Sequence, residues 1–183
     1  TLVCLHDEDL ARTTDGGPTP LRQTTLAQLQ RLDAGAWKDP RFAGTRVPTL
    51  QQALSLMLPH TLPMIEHKAG AAADYLDLLC RLDCTADVLL QSFDWQFLAA
   101  VRALDARIAL GLLGPHQQGE RHDEDTFATA ARLGLGFVHW HAATLQTADV
   151  ERIHAAGLLC VSYTTDDEPG WRAGRDKGID AMC

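Results

Sequence analysis

The stretch VLLQSFDWQFLAAVRALDARIALGLL, residues 88–113, decides the fold class. It opens with the apolar run 88–90 of a predicted strand that extends to Phe93, continues from Asp94 with helical apolar spacing to Leu104, and ends in a second apolar run at 108–113. Both runs are apolar on successive residues, as in parallel strands that helices cover on both faces. The stretch therefore predicts a strand–helix–strand unit with parallel strands.

The same alternation extends in both directions from this stretch. It predicts six strands, at 62–67, 88–93, 108–113, 137–141, 158–163 and 179–183, and five helices, at 71–82, 94–104, 123–133, 147–156 and 168–177. No GxGxxG or GxxxxGK[ST] loop follows a strand, which disfavours an open nucleotide-binding sheet. The α/β pattern therefore favours a TIM barrel, in which polar residues at the carboxyl ends of the strands converge on one site.

The first 61 residues carry weaker signals. Leu2 to His6 has the pattern of a short strand. Thr25 and Thr49 each stand three residues before a glutamine, which is the pattern of a capping box, and they predict helices that begin after them.

Composition excludes several classes of protein. The chain has 183 residues and a net charge of −8, which disfavours a nucleic-acid partner. No apolar run is long enough to cross a bilayer, so stable membrane insertion is not expected. The five cysteines lack zinc-site spacing and predict free thiols in a cytoplasmic protein.

Glu66 and Lys68 are the first candidate site residues. They lie two positions apart on a predicted strand and so face one side, while His67 faces the other. A carboxylate there can bind a hard divalent cation, and an ammonium can hold an anionic oxygen. A plain structural ion pair is the alternative.

Three histidines at predicted strand ends are further candidates. His6 suits general acid–base chemistry, or is an exposed loop histidine beside a cap or turn residue, Asp7. His139 and His141 share one face, but no third ligand is nearby, so a zinc site is not favoured. Trp37, Phe42, Trp140 and Tyr163 are expected mainly in core or rim packing.

Six segments resemble known motifs in chain order. They are HDEDLARTTDGGP (6–18), LDAGAWKDPRFAGTRVPTL (32–50), IEHK (65–68), LQSFD (90–94), VSYTTD (161–166) and GIDAMC (178–183). They are similar to H-D-x-x-L-x-R-T-T-x-G, L-D-A-G-S-W…F-x-G-x-x-[IV]-P-T-L, I-E-I-K, S-S-F-D, V-x-[WY]-T-V-N and G-V-D-x-I-x-T-D of the glycerophosphodiester phosphodiesterase family. The chain most resembles the cytosolic bacterial members that serve glycerol-3-phosphate uptake.

The resemblance implies a (β/α)8 barrel that hydrolyses a glycerophosphodiester to glycerol 3-phosphate and an alcohol. It also implies one divalent cation, Mg²⁺ or Ca²⁺. By position, His6 matches a catalytic histidine and Glu66 a metal-ligand glutamate. Lys68 matches a lysine near phosphate and metal, and Tyr163 an aromatic residue on the glycerol side.

Two motifs of the family do not occur in the chain, the strand ends His-Arg-Gly and Glu-x-Asp. We therefore expect one incomplete barrel domain over 1–183, truncated at its N-terminal side, with about six of eight barrel strands. Residues 2–6 would lie outside the barrel. Such a fragment is expected to bind metal poorly, to be inactive alone and to expose a sheet edge. The alternatives are an inactive remnant that acts as a binding module and a related phosphodiesterase of phospholipid head groups.

Overall fold

The computed structural model describes residues 1–115 and 121–183, and of Glu124 only the backbone. Its Cα positions form two compact units, 1–61 and 62–183. The single domain expected from the sequence stays a prediction. Within the described residues, no helix is long and apolar enough to cross a membrane.

The first unit contains short helices. Two are α-helices, α1 (Leu26–Leu29) and α2 (Leu50–Met57), and two are single 3₁₀ turns, Leu21–Gln23 and Pro40–Phe42. Both predicted capping boxes are present: Thr25 and Thr49 each accept a hydrogen bond from the backbone of the glutamine three residues later, whose side chain accepts one in return. The capping signal therefore placed both helix starts correctly.

The strand predicted over Leu2 to His6 is wrong. Only Val3 forms a bridge, antiparallel to Thr49, supported by hydrogen bonds from Cys4 N to Pro48 O (2.9 Å) and from Leu50 N to Leu2 O (3.0 Å). The pairing ends there because Pro48 has no N–H to donate and Thr49 already begins a helix. Leu10, Leu29 and Val47 form the buried core of this unit.

Asp33 holds together the loop that carries the L-D-A-G-x-W segment. Its Oδ1 accepts hydrogen bonds from the backbone N–H groups of Gly35 and Ala36, each at 2.8 Å, and its Oδ2 accepts one from Gly44 at 2.5 Å. These bonds, that of Ala36 first, lower the pKa of Asp33 to about 2. Trp37 and Phe42 of this loop are about half exposed, so neither belongs to the buried core.

Asp33→Asn is expected to destabilise this loop and to change its response to acid. The folded-state pKa of Asp33 is below its unfolded value, so its stabilisation is present above about pH 4 and is lost as pH falls through about 2. An asparagine cannot accept all three bonds because one end of its amide is a donor. Urea unfolding between pH 2 and 7 should show lower stability at neutral pH and a smaller loss in acid. The exposed-carboxylate variant Glu8→Gln is the control, and equal acid profiles for Asp33→Asn and the native chain would contradict the role of Asp33.

The second unit alternates strands and helices as predicted. Its strands are β1 (Met64–Glu66), β2 (Leu89–Ser92), β3 (Ala109–Leu113), β4 (Phe137–His141), β5 (Leu159–Tyr163) and β6 (Ala181–Met182). Its helices are α3 (Ala72–Arg81), α4 (Trp95–Leu104), α5 (Glu124–Arg132), α6 (Thr147–Ala155) and α7 (Glu168–Asp176). All eleven predicted elements are found, most of them one or two residues shorter at an end.

The six strands form one sheet in the order β1-β2-β3-β4-β5-β6, and all neighbours are parallel. The sheet curls as half of the predicted barrel. In β2 to β5 successive residues are buried, which confirms that these strands are covered on both faces. The carboxyl ends of all strands therefore meet at one edge of the half-barrel.

Two chain reversals have clear local causes. Asp94 caps α4 by accepting hydrogen bonds from the backbone N–H groups of Gln96 (2.8 Å) and Phe97 (3.1 Å). Gly157 follows α6 with a φ of 77°, a conformation that glycine adopts without strain. Asp94 thus fixes the turn at the carboxyl end of β2, on the edge of the candidate site, and Gly157 the turn at the opposite edge, before β5.

Candidate active site

Glu66 and Lys68 lie together at the carboxyl end of β1, as the sequence spacing predicted. Lys68 Nζ lies 2.7 Å from Glu66 Oε1, with side chains 41% and 27% exposed. This contact is an ion pair without hydrogen-bond geometry, and among the described residues the buried Oε1 atom has no hydrogen-bond partner. A buried carboxylate oxygen without a donor is suited to a cation or to a group of a bound ligand.

His67 lies on the opposite face of β1 and is a packing residue. Its ring stacks on Phe97 at a centroid distance of 3.5 Å and an interplanar angle of 7°. Its Nδ1 lies 3.0 Å from Ser92 Oγ and its Nε2 3.2 Å from Gly70 O. Burial lowers the pKa of His67. The alternation along β1 therefore separates a structural histidine from the Glu66–Lys68 pair.

Gln91 and His139 form a buried polar pair that the sequence did not reveal. Gln91 is the register neighbour of Glu66 on β2, and its Oε1 lies 2.7 Å from His139 Nδ1 on β4. The strand between them contributes no side chain at this level: Gly111 pairs with Gln91 in register, and a Cβ there would lie 2.0 Å from the Phe137 ring. In the sequence, the one indication of this pair was that Gln91 lies on the predicted strand that follows the strand of Glu66.

Tyr163 lies between two histidine rings at the end of β5. Its ring meets His139 edge to face at 4.8 Å and His141 at 5.4 Å, measured between centroids. Burial raises the pKa of Tyr163, and the negative charge of Glu66 raises it further. Tyr163 therefore lies within electrostatic reach of the Glu66–Lys68 pair.

The two histidines of β4 are occupied by protein contacts. His139 Nδ1 is engaged by Gln91 and its Nε2 lies 3.2 Å from Cys183 Sγ, while burial lowers the pKa of His139. His141 Nδ1 accepts a hydrogen bond from the backbone N–H of Ala143 at 3.2 Å. Across residues 1–115 and 121–183, no group of three His, Cys, Asp or Glu side chains could hold a metal ion.

His6 belongs to the first unit and forms a charged cluster with two neighbours. Its Nδ1 lies 2.8 Å from Asp7 Oδ1, and its side chain is 71% exposed. Arg12 donates to the same carboxylate, from Nε to Oδ2 at 2.6 Å and from Nη2 to Oδ1 at 2.9 Å. Asp7 lies in a bend of the chain and is also the centre of an ion-paired cluster, which the sequence did not predict.

The donor set fits a divalent cation only in part. Glu66 provides a hard carboxylate oxygen, and its Oε1 atom is ion-paired with Lys68 Nζ. Among the described residues it is not joined by two further candidate ligand side chains. Glu66 therefore accounts for one ligand and not for a complete site.

Comparison with known proteins identifies the family. The family model for the "Glycerophosphoryl diester phosphodiesterase family" matches residues 1–183. The chain belongs to this family. This confirms the resemblance expected from the six motifs, and the half-barrel confirms the fold that the resemblance implied.

Three similar proteins come from named organisms. A glycerophosphodiester phosphodiesterase of Bacillus subtilis (strain 168) is 28% identical over 201 residues, which cover 97% of this chain and 67% of the relative. The structure of an Oleispira antarctica phosphodiesterase, in complex with the product sn-glycerol-3-phosphate, superposes with a TM-score of 0.84 at 26% identity and covers 98% of this chain and 74% of that one. A Galdieria sulphuraria structure superposes at 0.83 with 20% identity, covering 99% and 75%, and supports the fold alone.

Proposed function

We propose that this chain hydrolyses a glycerophosphodiester to sn-glycerol 3-phosphate and an alcohol. The observation that carries the proposal is the Oleispira antarctica phosphodiesterase, which is 26% identical, superposes with a TM-score of 0.84 and holds sn-glycerol-3-phosphate as its product. In this reaction water adds to phosphorus, the P–O bond to the alcohol breaks, and the alcohol leaves with a proton.

The residues of the second unit suit the binding of an anionic phosphodiester. Lys68 carries a compact positive charge, is about two-fifths exposed and faces the strand-end edge beside Glu66. The Tyr163 ring provides an apolar surface for the glycerol carbons, and its hydroxyl stays protonated because its pKa is raised. We assign Lys68 and Tyr163 to substrate binding.

We propose that one divalent cation, Mg²⁺ or Ca²⁺, assists the reaction and that Glu66 is one of its ligands. The support is the position of this carboxylate, a hard oxygen donor that is only 27% exposed, at the carboxyl end of β1. When bound, such a cation neutralises phosphate charge and stabilises the charge that develops in the transition state.

We assign the proton transfer to His6. Asp7 engages its Nδ1, which leaves the Nε2 of an exposed ring available to a reacting oxygen. An imidazole changes protonation near neutral pH, so it can give a proton to the departing alkoxide or take one from the attacking water.

A binding module without catalysis is the second candidate function. It is favoured by the absence, within the described residues, of a group of three side chains that could hold a metal.

For either function we propose a cytoplasmic location, supported by five free cysteines, which a reducing compartment permits.

The test is a substrate panel on the full-length protein, with residues 1–183 alone, which we propose are inactive, measured beside it. Glycerophosphocholine, glycerophosphoethanolamine and lysophosphatidylcholine are incubated with Mg²⁺, with Ca²⁺ or with EDTA. Glycerol 3-phosphate released from the two water-soluble diesters is measured by a coupled dehydrogenase assay, and lysophosphatidate and choline released from the lysophospholipid are measured by mass spectrometry. We expect release from the two water-soluble diesters and its loss in EDTA. Glycerol 3-phosphate binding by calorimetry without turnover would favour the binding module, and turnover of the lysophospholipid alone would favour a head-group phosphodiesterase.

A further inference from the structure

Arg12 binds both oxygens of the Asp7 carboxylate, which also contacts His6. Its Nε lies 2.6 Å from Asp7 Oδ2 and its Nη2 lies 2.9 Å from Oδ1, so the guanidinium binds both oxygens as a fork. A fork of this kind fixes the plane of a carboxylate, whereas a single contact leaves it free to rotate. Both oxygens of Asp7 are thus held while Oδ1 also meets the imidazole.

The charge state of Asp7 determines which partner donates to which. The hydrogen bonds from Arg12 and then from His6 lower the pKa of Asp7 well below its usual range, so it is a carboxylate at neutral pH. An ionised carboxylate only accepts hydrogen bonds. Asp7 Oδ1, at 2.8 Å, therefore requires the hydrogen on His6 Nδ1 and leaves Nε2 as the basic nitrogen of the neutral ring.

The Arg12–Asp7 contact differs from an ordinary surface ion pair of the same unit. Arg41 and Asp39 also pair, with Nε at 3.1 Å from Oδ1 and Nη2 at 3.3 Å from Oδ2, but these residues are two positions apart and no imidazole shares their carboxylate. The Arg12 side chain is 56% exposed and that of Arg41 79% exposed. Arg41 thus provides a matched arginine for comparison.

We propose that Arg12 is a positioning residue for His6: by fixing the Asp7 carboxylate, it holds the imidazole in the Nδ1–H tautomer with Nε2 directed to the reaction. This rests on the proposed function for its catalytic meaning, but the tautomer is a property of the chain without substrate. Arg12 touches neither the imidazole nor a reacting atom in this scheme; it acts through Asp7 alone.

The first test measures the tautomer directly. The full chain is labelled with ¹⁵N-histidine, and long-range ¹H–¹⁵N spectra are recorded at a pH where the rings are neutral, with His6 assigned from its loss in His6→Ala. We expect the Nδ1–H form to dominate in the native chain. In Arg12→Ala the Nε2–H form, which a free imidazole favours, should become the major one, with Arg12→Lys intermediate because a single ammonium cannot form the fork.

Arg41→Ala is the control and should leave the His6 spectrum unchanged. Amide spectra establish that each variant is folded, and Arg12→Lys supplies the measurement if Arg12→Ala is not. An unchanged tautomer in every folded Arg12 variant would overturn the proposal.

The second test separates positioning from substrate binding by kinetics. Arg12→Ala should lower kcat on the order of tenfold to a hundredfold, with KM changed by less than about twofold, because only the orientation of His6 is lost. The double variant with His6→Ala should be no slower than His6→Ala alone, since Arg12 acts through His6. Additive losses would overturn the proposal, whereas a native chain without turnover would count against the proposed function and leave the tautomer test to decide the role of Arg12.

Discussion

His6→Ala is expected to lower kcat for glycerophosphodiester hydrolysis by about 10²- to 10⁴-fold, the range that a positioned general acid or base contributes. The loss follows from chemistry rather than from packing, because the His6 side chain is 71% exposed and supports no core. Initial rates of glycerol 3-phosphate release at saturating substrate measure kcat, and the dependence on substrate concentration measures KM. KM should change little because the imidazole acts on the leaving or attacking oxygen.

The matched control is His60→Ala, which removes another exposed histidine of the same unit. It should keep native rates, and both variants should keep the native melting temperature within about 2 °C, since surface substitutions are usually within ±0.5 kcal/mol. If His6→Ala retains more than about a tenth of the native kcat, His6 is not the proton-transfer residue.

The second unit was predictable from sequence because its signals are local and repeated. Apolar runs at 88–90 and 108–113, with Asp94 as a helix cap between them, specify a strand–helix–strand unit without knowledge of the remaining chain. Spacing along β1 likewise predicted that Glu66 and Lys68 share a face. Such features depend only on backbone periodicity, which is why they transfer from sequence to structure.

Two kinds of contact could not be predicted from the sequence. One kind joins side chains that are distant along the chain, and the other joins side chains that a bend of the chain brings together. Gln91 meets His139 across 48 positions, and this contact depends on the register of strands that are distant in sequence. The ion pair between Asp7 and Arg12 was not predicted, because it depends on how the chain bends between the two residues. The strand predicted over residues 2–6 failed for a similar reason, since its length is set by a partner segment that contains Pro48.

Glu66→Gln is expected to reduce Mg²⁺-supported hydrolysis by about a hundredfold. Glutamine keeps the shape of the side chain but replaces a carboxylate by a neutral amide, which is a much weaker ligand for a hard cation. A cation that stabilises the transition state is worth several kcal/mol, and about 1.4 kcal/mol corresponds to a factor of ten. Rates are measured against Mg²⁺ concentration, and the half-saturating concentration should rise together with the loss of kcat.

Two variants separate this role from that of a plain ion pair with Lys68. Glu151→Gln neutralises an exposed glutamate on α6 and should leave both the rate and the Mg²⁺ response native. Lys68→Met removes the other partner of the same 2.7 Å ion pair. The side chains of Lys68 and Glu66 are 41% and 27% exposed, so the pair itself contributes at most about 1 kcal/mol to stability. If Glu66 only pairs with Lys68, then Glu66→Gln and Lys68→Met should shift the melting temperature alike and leave the Mg²⁺ response unchanged. A metal ligand requires the opposite pattern: the Mg²⁺ response moves in Glu66→Gln alone, while Lys68→Met raises KM through the lost contact with the phosphate.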